Sequence, residues 1–209
     1  MLGSILTVTT AATERDLCTL AAVKAELGLT TTSFDAALAD RIAQASTAIE
    51  SYCQRVFARE NIQEVFRPEA ALRSIILARG PVASIASIVA DGTTLTPTTE
   101  FEFDARAGLI YRLLDDTRAA WRERKITVVY AAGYTLPDTG AGADLPQDIR
   151  RACVLTVASA HLGRGRDAMV RSESAQDVGL VSYLDPRAEA LGLPPQVAGM
   201  LLPYMVPII

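Results

Sequence analysis

An α+β fold is predicted, with helices toward both ends of the chain and antiparallel strands between them. Three observations carry it. Apolar residues recur at helical spacing up to Val56, at strand spacing from Ile62 to Ala131, and at helical spacing again after Asp144.

The first helix is expected over Leu17 to Leu27, where Leu20, Val23 and Leu27 share a face and Gly28 stands at the left-handed cap position. Phe34, Leu38, Ile42, Ala45, Ile49, Tyr52 and Val56 then trace one face of a longer helix. Ser33 is its expected N-cap, and Asp35 puts a negative charge in the first turn, where the helix dipole favours it.

From Ile62 the period changes to two, and β-branched and aromatic residues alternate between turn signals. Strands are expected at Ile62 to Arg67, Arg73 to Ala78, Ile85 to Ala90 before the Asp91-Gly92 turn, Phe101 to Asp104, and Leu109 to Leu113. The last strand, Lys125 to Ala131, places Ile126, Val128 and Tyr130 on one face and Thr127 and Val129 on the other. A third helix is expected from Asp144 to near Gly163, with Pro146 acceptable in its first turn. Beyond it come a polar, Arg-rich segment over 163–177, a strand-like stretch from Val178 to Leu184, and a short helix opened by Pro194-Pro195 and closed by Pro203. The organisation expected is N-terminal helices over 1–59, a β-rich region over 60–132, the third helix and its following loop over 133–192, and a short helix with an apolar tail over 193–209.

Composition narrows the function classes. A chain of 209 residues can bury about 70% of its unfolded surface, so it needs no covalent staple. Cys18, Cys53 and Cys153 are widely spaced with no C-x-x-C pair, which indicates neither a disulfide framework nor a zinc site; each reads as a small buried apolar residue. Half the residues are hydrophobic, yet no run approaches the roughly 18 apolar residues of a membrane span. The segment Met1 to Thr10 lacks the basic and apolar regions of a signal peptide, so synthesis in a cytoplasm is expected. A formal net charge of −4 argues against a protein that grips DNA, because duplex affinity rests on clustered Lys and Arg.

No residue pattern points to catalysis, a cofactor or a metal. His161 is the only histidine and lies near the end of the third helix, where a capping or packing role is expected; no G-x-S-x-G or comparable nucleophile motif accompanies it as a general base. Gly163-Arg164-Gly165-Arg166 follows a helix and lacks the Walker ending, so the loop with Arg164, Arg166 and Arg171 reads first as solvated or as salt-bridging between subunits, and otherwise as making transient contact with a DNA backbone. The carboxylates at Asp115-Asp116, Glu100-Glu102 and Asp35-Asp40 stand among no other ligand types and read as solvated faces. The ending Met200 to Ile209 is apolar where chain termini are normally polar, so something is expected to cover it: either the chain's own core or a groove on another protein.

Taken in order, several pieces resemble the head-tail connector (adaptor) proteins of tailed bacteriophages and gene transfer agents. They are Leu20, Val23-Lys24 and Leu27 before Asp35; Gly80-Pro81-Val82-Ala83-Ser84-Ile85 leading to Asp91-Gly92; Gly108-Leu109-Ile110; Trp121; Ile126 to Tyr134; Leu145-Pro146; and Ser172-Glu173-Ser174. The resemblance implies a mainly α-helical bundle carrying an antiparallel β-rich insertion between its N-terminal and C-terminal helices. It implies a homo-oligomeric ring, usually dodecameric, in the neck of the virion or particle, with the portal protein on one side and a stopper or tail-side neck protein on the other. DNA would pass through the channel without specific binding, and no membrane would be involved. A tail of this kind would engage the portal through Leu201, Leu202, Tyr204, Met205, Val206, Ile208 and Ile209. The loop holding Arg164, Arg166, Arg171, Ser172, Glu173 and Ser174 would serve assembly between subunits. The family's Gly-Asp-aromatic stretch is replaced here by Gln176, Asp177, Val178 and Gly179. The alternatives are another neck component, such as a stopper or tail terminator, and a small-ligand enzyme.

Overall fold

The computed structural model describes residues 3–137, 142–164 and 193–206, and the backbone at 172–175 and 179–182. Among the described residues helix and strand contribute almost equally, so the fold is α+β and not mainly helical. Two compact units divide it: Met1–Glu14 with Phe57–Thr135, which holds strands, and Arg15–Val56 with Leu136–Ile209, which holds the helices.

The strand unit contains two antiparallel sheets. The larger has the order β1-β2-β9-β4-β5, from β1 (Ser4–Thr10), β2 (Glu60–Phe66), β9 (Ile126–Ala132), β4 (Val82–Ala90) and β5 (Thr93–Thr94). In the smaller, β7 (Leu109–Leu114) pairs with β6 (Phe101–Asp104), β3 (Ile75–Ile76) and β8 (Thr117–Ala119). Alternation along β9 is as expected: Ile126, Val128 and Tyr130 are buried while Thr127 and Val129 are half-buried. Both sheets feed one core, in which Ile62, Phe66, Ile88, Val128 and Tyr130 meet Ile75, Phe101 and Ile110. Trp121 is fully buried there, with its indole N–H donating to the Ile110 carbonyl at 3.4 Å and its backbone paired with Leu72. Three strands, β1, β5 and β8, are additions to the sequence reading. The first of them carries no fully buried residue, so hydropathy alone does not mark it.

In the helical unit α1 (Leu20–Leu27) starts at Thr19, whose Oγ1 accepts from the Ala22 N–H, and stops at Gly28 with φ of +66°. Helix α2 (Asp35–Cys53) buries Leu38, Ile42, Ala45, Ser46, Ile49 and Cys53. Its cap differs from expectation: Phe34 occupies the N-cap without a side-chain bond, and Ser33 instead lies 3.1 Å from the Thr31 hydroxyl. Asp35 sits in the first turn as read, with Lys24 Nζ 2.7 Å away, and the helix ends at Cys53, where Gln54 turns left-handed. Helix α3 (Gln147–Leu162) follows Pro146 and packs against α1, α2 and α4 (Pro195–Leu201), which a 3₁₀ turn, Leu202–Tyr204, continues. Ser172-Glu173-Ser174, expected in a loop, lies in strand β10 (Ser172–Ala175), paired with β11 (Gly179–Ser182). Among the described residues no helix is long and apolar enough to cross a membrane.

Candidate functional site

The candidate surfaces of the helical unit lie at the end of α3 and along the final helix and tail. His161 sits in the last turn of α3 and is buried, packed edge-on against the Phe34 ring at 5.3 Å. Burial, and then the positive charges of Arg164 and Arg41, hold its pKa below the usual 6.5, so the ring is neutral and one of its nitrogens can accept from Arg164 Nη1, which lies against both Nδ1 and Nε2. The Arg164 guanidinium also stacks over Phe34, 4.4 Å from the ring centroid. This knot of Phe34, His161 and Arg164 closes the end of α3. Arg166 and Arg171 lie outside the described residues. Ser172, Glu173 and Ser174 are described by backbone alone, so the structure places only Arg164 among the side chains of the expected assembly loop.

The tail divides. Leu201 is fully buried, the Tyr204 hydroxyl donates to Asp148 Oδ2 at 3.4 Å, and the Val206 N–H donates to the Cys53 carbonyl at 3.1 Å. Leu202, Met205 and Val206 nevertheless expose their side chains. The chain thus covers part of its own apolar ending and leaves part facing outward; Ile208 and Ile209 lie outside the described residues. Beside α4 runs an open groove of about 590 Å³, walled by Leu155, Ala158, Leu162, Pro194 and Val197 with Glu26 at its rim. Leu162 is 76% exposed, a full apolar side chain in water at the end of α3. Sequence reasoning missed this groove, because its walls come from segments more than thirty residues apart and only Leu162, off the buried face of its helix, signals it.

The strand unit holds a different feature that sequence reasoning passed over. Glu64 is fully buried, and its carboxylate accepts from the Ser4 hydroxyl, from the Ala78 N–H at 3.1 Å and from the Tyr130 hydroxyl at 2.9 Å. Burial first, and then the Glu64 charge, push the Tyr130 phenol well above its usual range. The arrangement ties β1, β2 and β9 together; the carboxylate is spent on neighbours and opens into no described cavity. Among the described residues no group of three or more His, Cys, Asp and Glu is placed to hold a metal ion.

Among the described residues no nucleophile, base and oxyanion site come together; what their surface offers is exposed apolar side chains and a groove, the chemistry of protein contact. A family model described as head completion protein matches residues 16–161. The chain belongs to the head completion protein family. The range takes in the strand Ile126 to Tyr134 and Leu145-Pro146, two of the pieces that carried the connector resemblance, and the family is one of virion structural proteins. A comparison with curated proteins finds no match. Among solved structures, a chain in the neck of an empty GTA particle computed with C6 symmetry is similar over 98% of this chain and 97% of its own, with 17% identity and a TM-score of 0.55. A chain in the virion of a native gene transfer agent (GTA) particle is similar over the same shares, at 18% identity and a TM-score of 0.52. These likenesses establish a shared fold for this family member.

Proposed function

We propose that this protein is a structural adaptor that forms a ring, dodecameric as the connector resemblance implies, between the portal and the neck or tail of a phage-like particle. The carrying observation is the family match over residues 16–161, joined to a fold shared along nearly the whole chain with a protein of a GTA particle neck. In this reading the helices build the ring wall, the strand unit faces outward or toward the tail, and DNA crosses the centre. A six-fold neck holds its off-axis chains in multiples of six, which a dodecamer satisfies. Twelve copies would carry roughly −50 in formal charge, repelling a polyanion and letting it slide. No chemistry is performed; the exposed Leu202, Met205 and Val206 gain stability only when a partner buries them.

Truncation after Pro203 tests the reading. The shortened protein should fold, since Leu201 and the rest of the helical core remain, and should no longer co-purify with the portal from cells making the particle. Portal capture and tail joining at the full-length level would overturn the role given to the tail.

A further inference from the structure

We infer that Cys18 and Cys153 are the two halves of an intramolecular disulfide that forms when the protein meets an oxidising small-molecule disulfide such as oxidised glutathione. The two sulfurs lie 3.3 Å apart, both buried, in a chain where sequence spacing gives no hint of pairing. A disulfide needs about 2.0 Å between sulfurs, so the pair has about 1.3 Å left to close.

The surroundings prepare one thiol for attack. The Cys18 S–H donates to Cys153 Sγ, and the Ser46 hydroxyl, which accepts the Leu17 N–H at 3.0 Å, lies 3.7 Å from the same sulfur. Cys18 foremost, with Ser46 adding to it, holds the Cys153 thiol below its ordinary range, whereas burial pushes Cys53 up to about 11. The Cys153 thiolate attacks one sulfur of oxidised glutathione and expels a glutathione thiolate. Cys18 then loses its proton to solvent and its thiolate attacks the mixed disulfide, expelling the second glutathione. Two protein thiols are oxidised and one glutathione disulfide is reduced to two thiols. Access requires local opening of the segment before α1, whose residues Thr13, Glu14 and Arg15 are exposed, so the reaction is slow.

The bond would fasten the entrance of α1 to the middle of α3 across 135 residues of chain, and a loop of that length raises the thermal midpoint by on the order of 10 °C. It would stay open in a reducing cytoplasm and close outside it. This chemistry is independent of the neck assignment.

The test uses the reduced full-length protein incubated with oxidised glutathione, then alkylated and weighed by intact mass spectrometry, with and without dilute urea to promote opening. Expected are a mass lower by two hydrogens, a single alkylated site at Cys53, and one cross-linked peptide joining Cys18 to Cys153. Cys53→Ala should give the same cross-link. Three alkylated cysteines after incubation in dilute urea, stable glutathione adducts on Cys18 and Cys153, or a cross-link through Cys53 would each overturn the inference.

Discussion

The two units of this protein are filled by different means. In the strand unit large rings, Trp121, Tyr130, Phe57 and Phe66, stand among β-branched and aliphatic side chains, and two carboxylates are buried, Glu60 and the three-fold bonded Glu64. In the helical unit the described interior is aliphatic and small: Leu38, Ile42, Ile49 and Val157 pack around Ala45, Ser46, Ala152 and Cys153, with α3 against three other helices. Large rings leave fewer ways to repack than small aliphatic side chains do, so the strand unit is expected to yield less to substitution than the helical one. The exposed apolar side chains of the helical unit, Leu162, Leu202, Met205 and Val206, fall at the end of α3 and in the segment after α4, which is where a partner could be met without disturbing either core.

That contrast can be broken by measurement. The largest effect is expected at Gly133, where φ is +100° and an added Cβ would lie 2.4 Å from the Ala58 carbonyl oxygen and 2.9 Å from that of Phe57. Both obstacles are backbone, so Gly133→Ala should cost about 4 kcal/mol or more, read as loss of the folded baseline in urea titration. A cost under about 1 kcal/mol would show the strand unit to be as yielding as the helical one. Tyr130→Phe should cost about 1–3 kcal/mol, because it removes one donor from the buried Glu64 carboxylate; Glu64→Gln in the same background should recover part of the loss. In the helical unit Ile49→Val, at a fully buried position, should cost only about 1 kcal/mol by chemical denaturation, and a much larger value would mean its core is as unyielding as the rings.

The smallest effect is a pH dependence. His161 has a folded pKa below 6.5, so as pH falls through 6.5 the unfolded chain takes up a proton before the folded chain does. Stability should therefore decline below pH 6.5 and level off once pH is under the folded value. His161→Gln should remove that part of the slope when urea midpoints are compared between acid and neutral buffers; an unchanged slope would mean the ring is not the group responsible.

Much of this was legible in the chain. Helix α2 and strand β9 bury one face each, so period alone located them, and Gly28 and Asp91-Gly92 announced their turns. Strand β1 was missed because Ile5 and Val8 face solvent, leaving only β-branched propensity as a signal. Ser33 was misjudged as a cap because a cap depends on where the backbone turns, one residue later here. Glu64 carried no signal in the sequence, because its burial is decided by Ser4, Ala78 and Tyr130, which the chain brings from elsewhere. The exposed apolar ending was legible as an anomaly, but its division into covered and uncovered residues depends on Cys53 and Asp148, both distant in sequence. Family membership was readable from the order of short pieces, none of them specific alone.

Electron microscopy of particles from cells carrying a tagged copy of this chain, compared with cells lacking it, tests the adaptor account most directly. The account predicts label on a symmetric ring at the neck, and heads without joined tails when the chain is missing. Complete, tailed, DNA-filled particles from cells lacking the chain would contradict it.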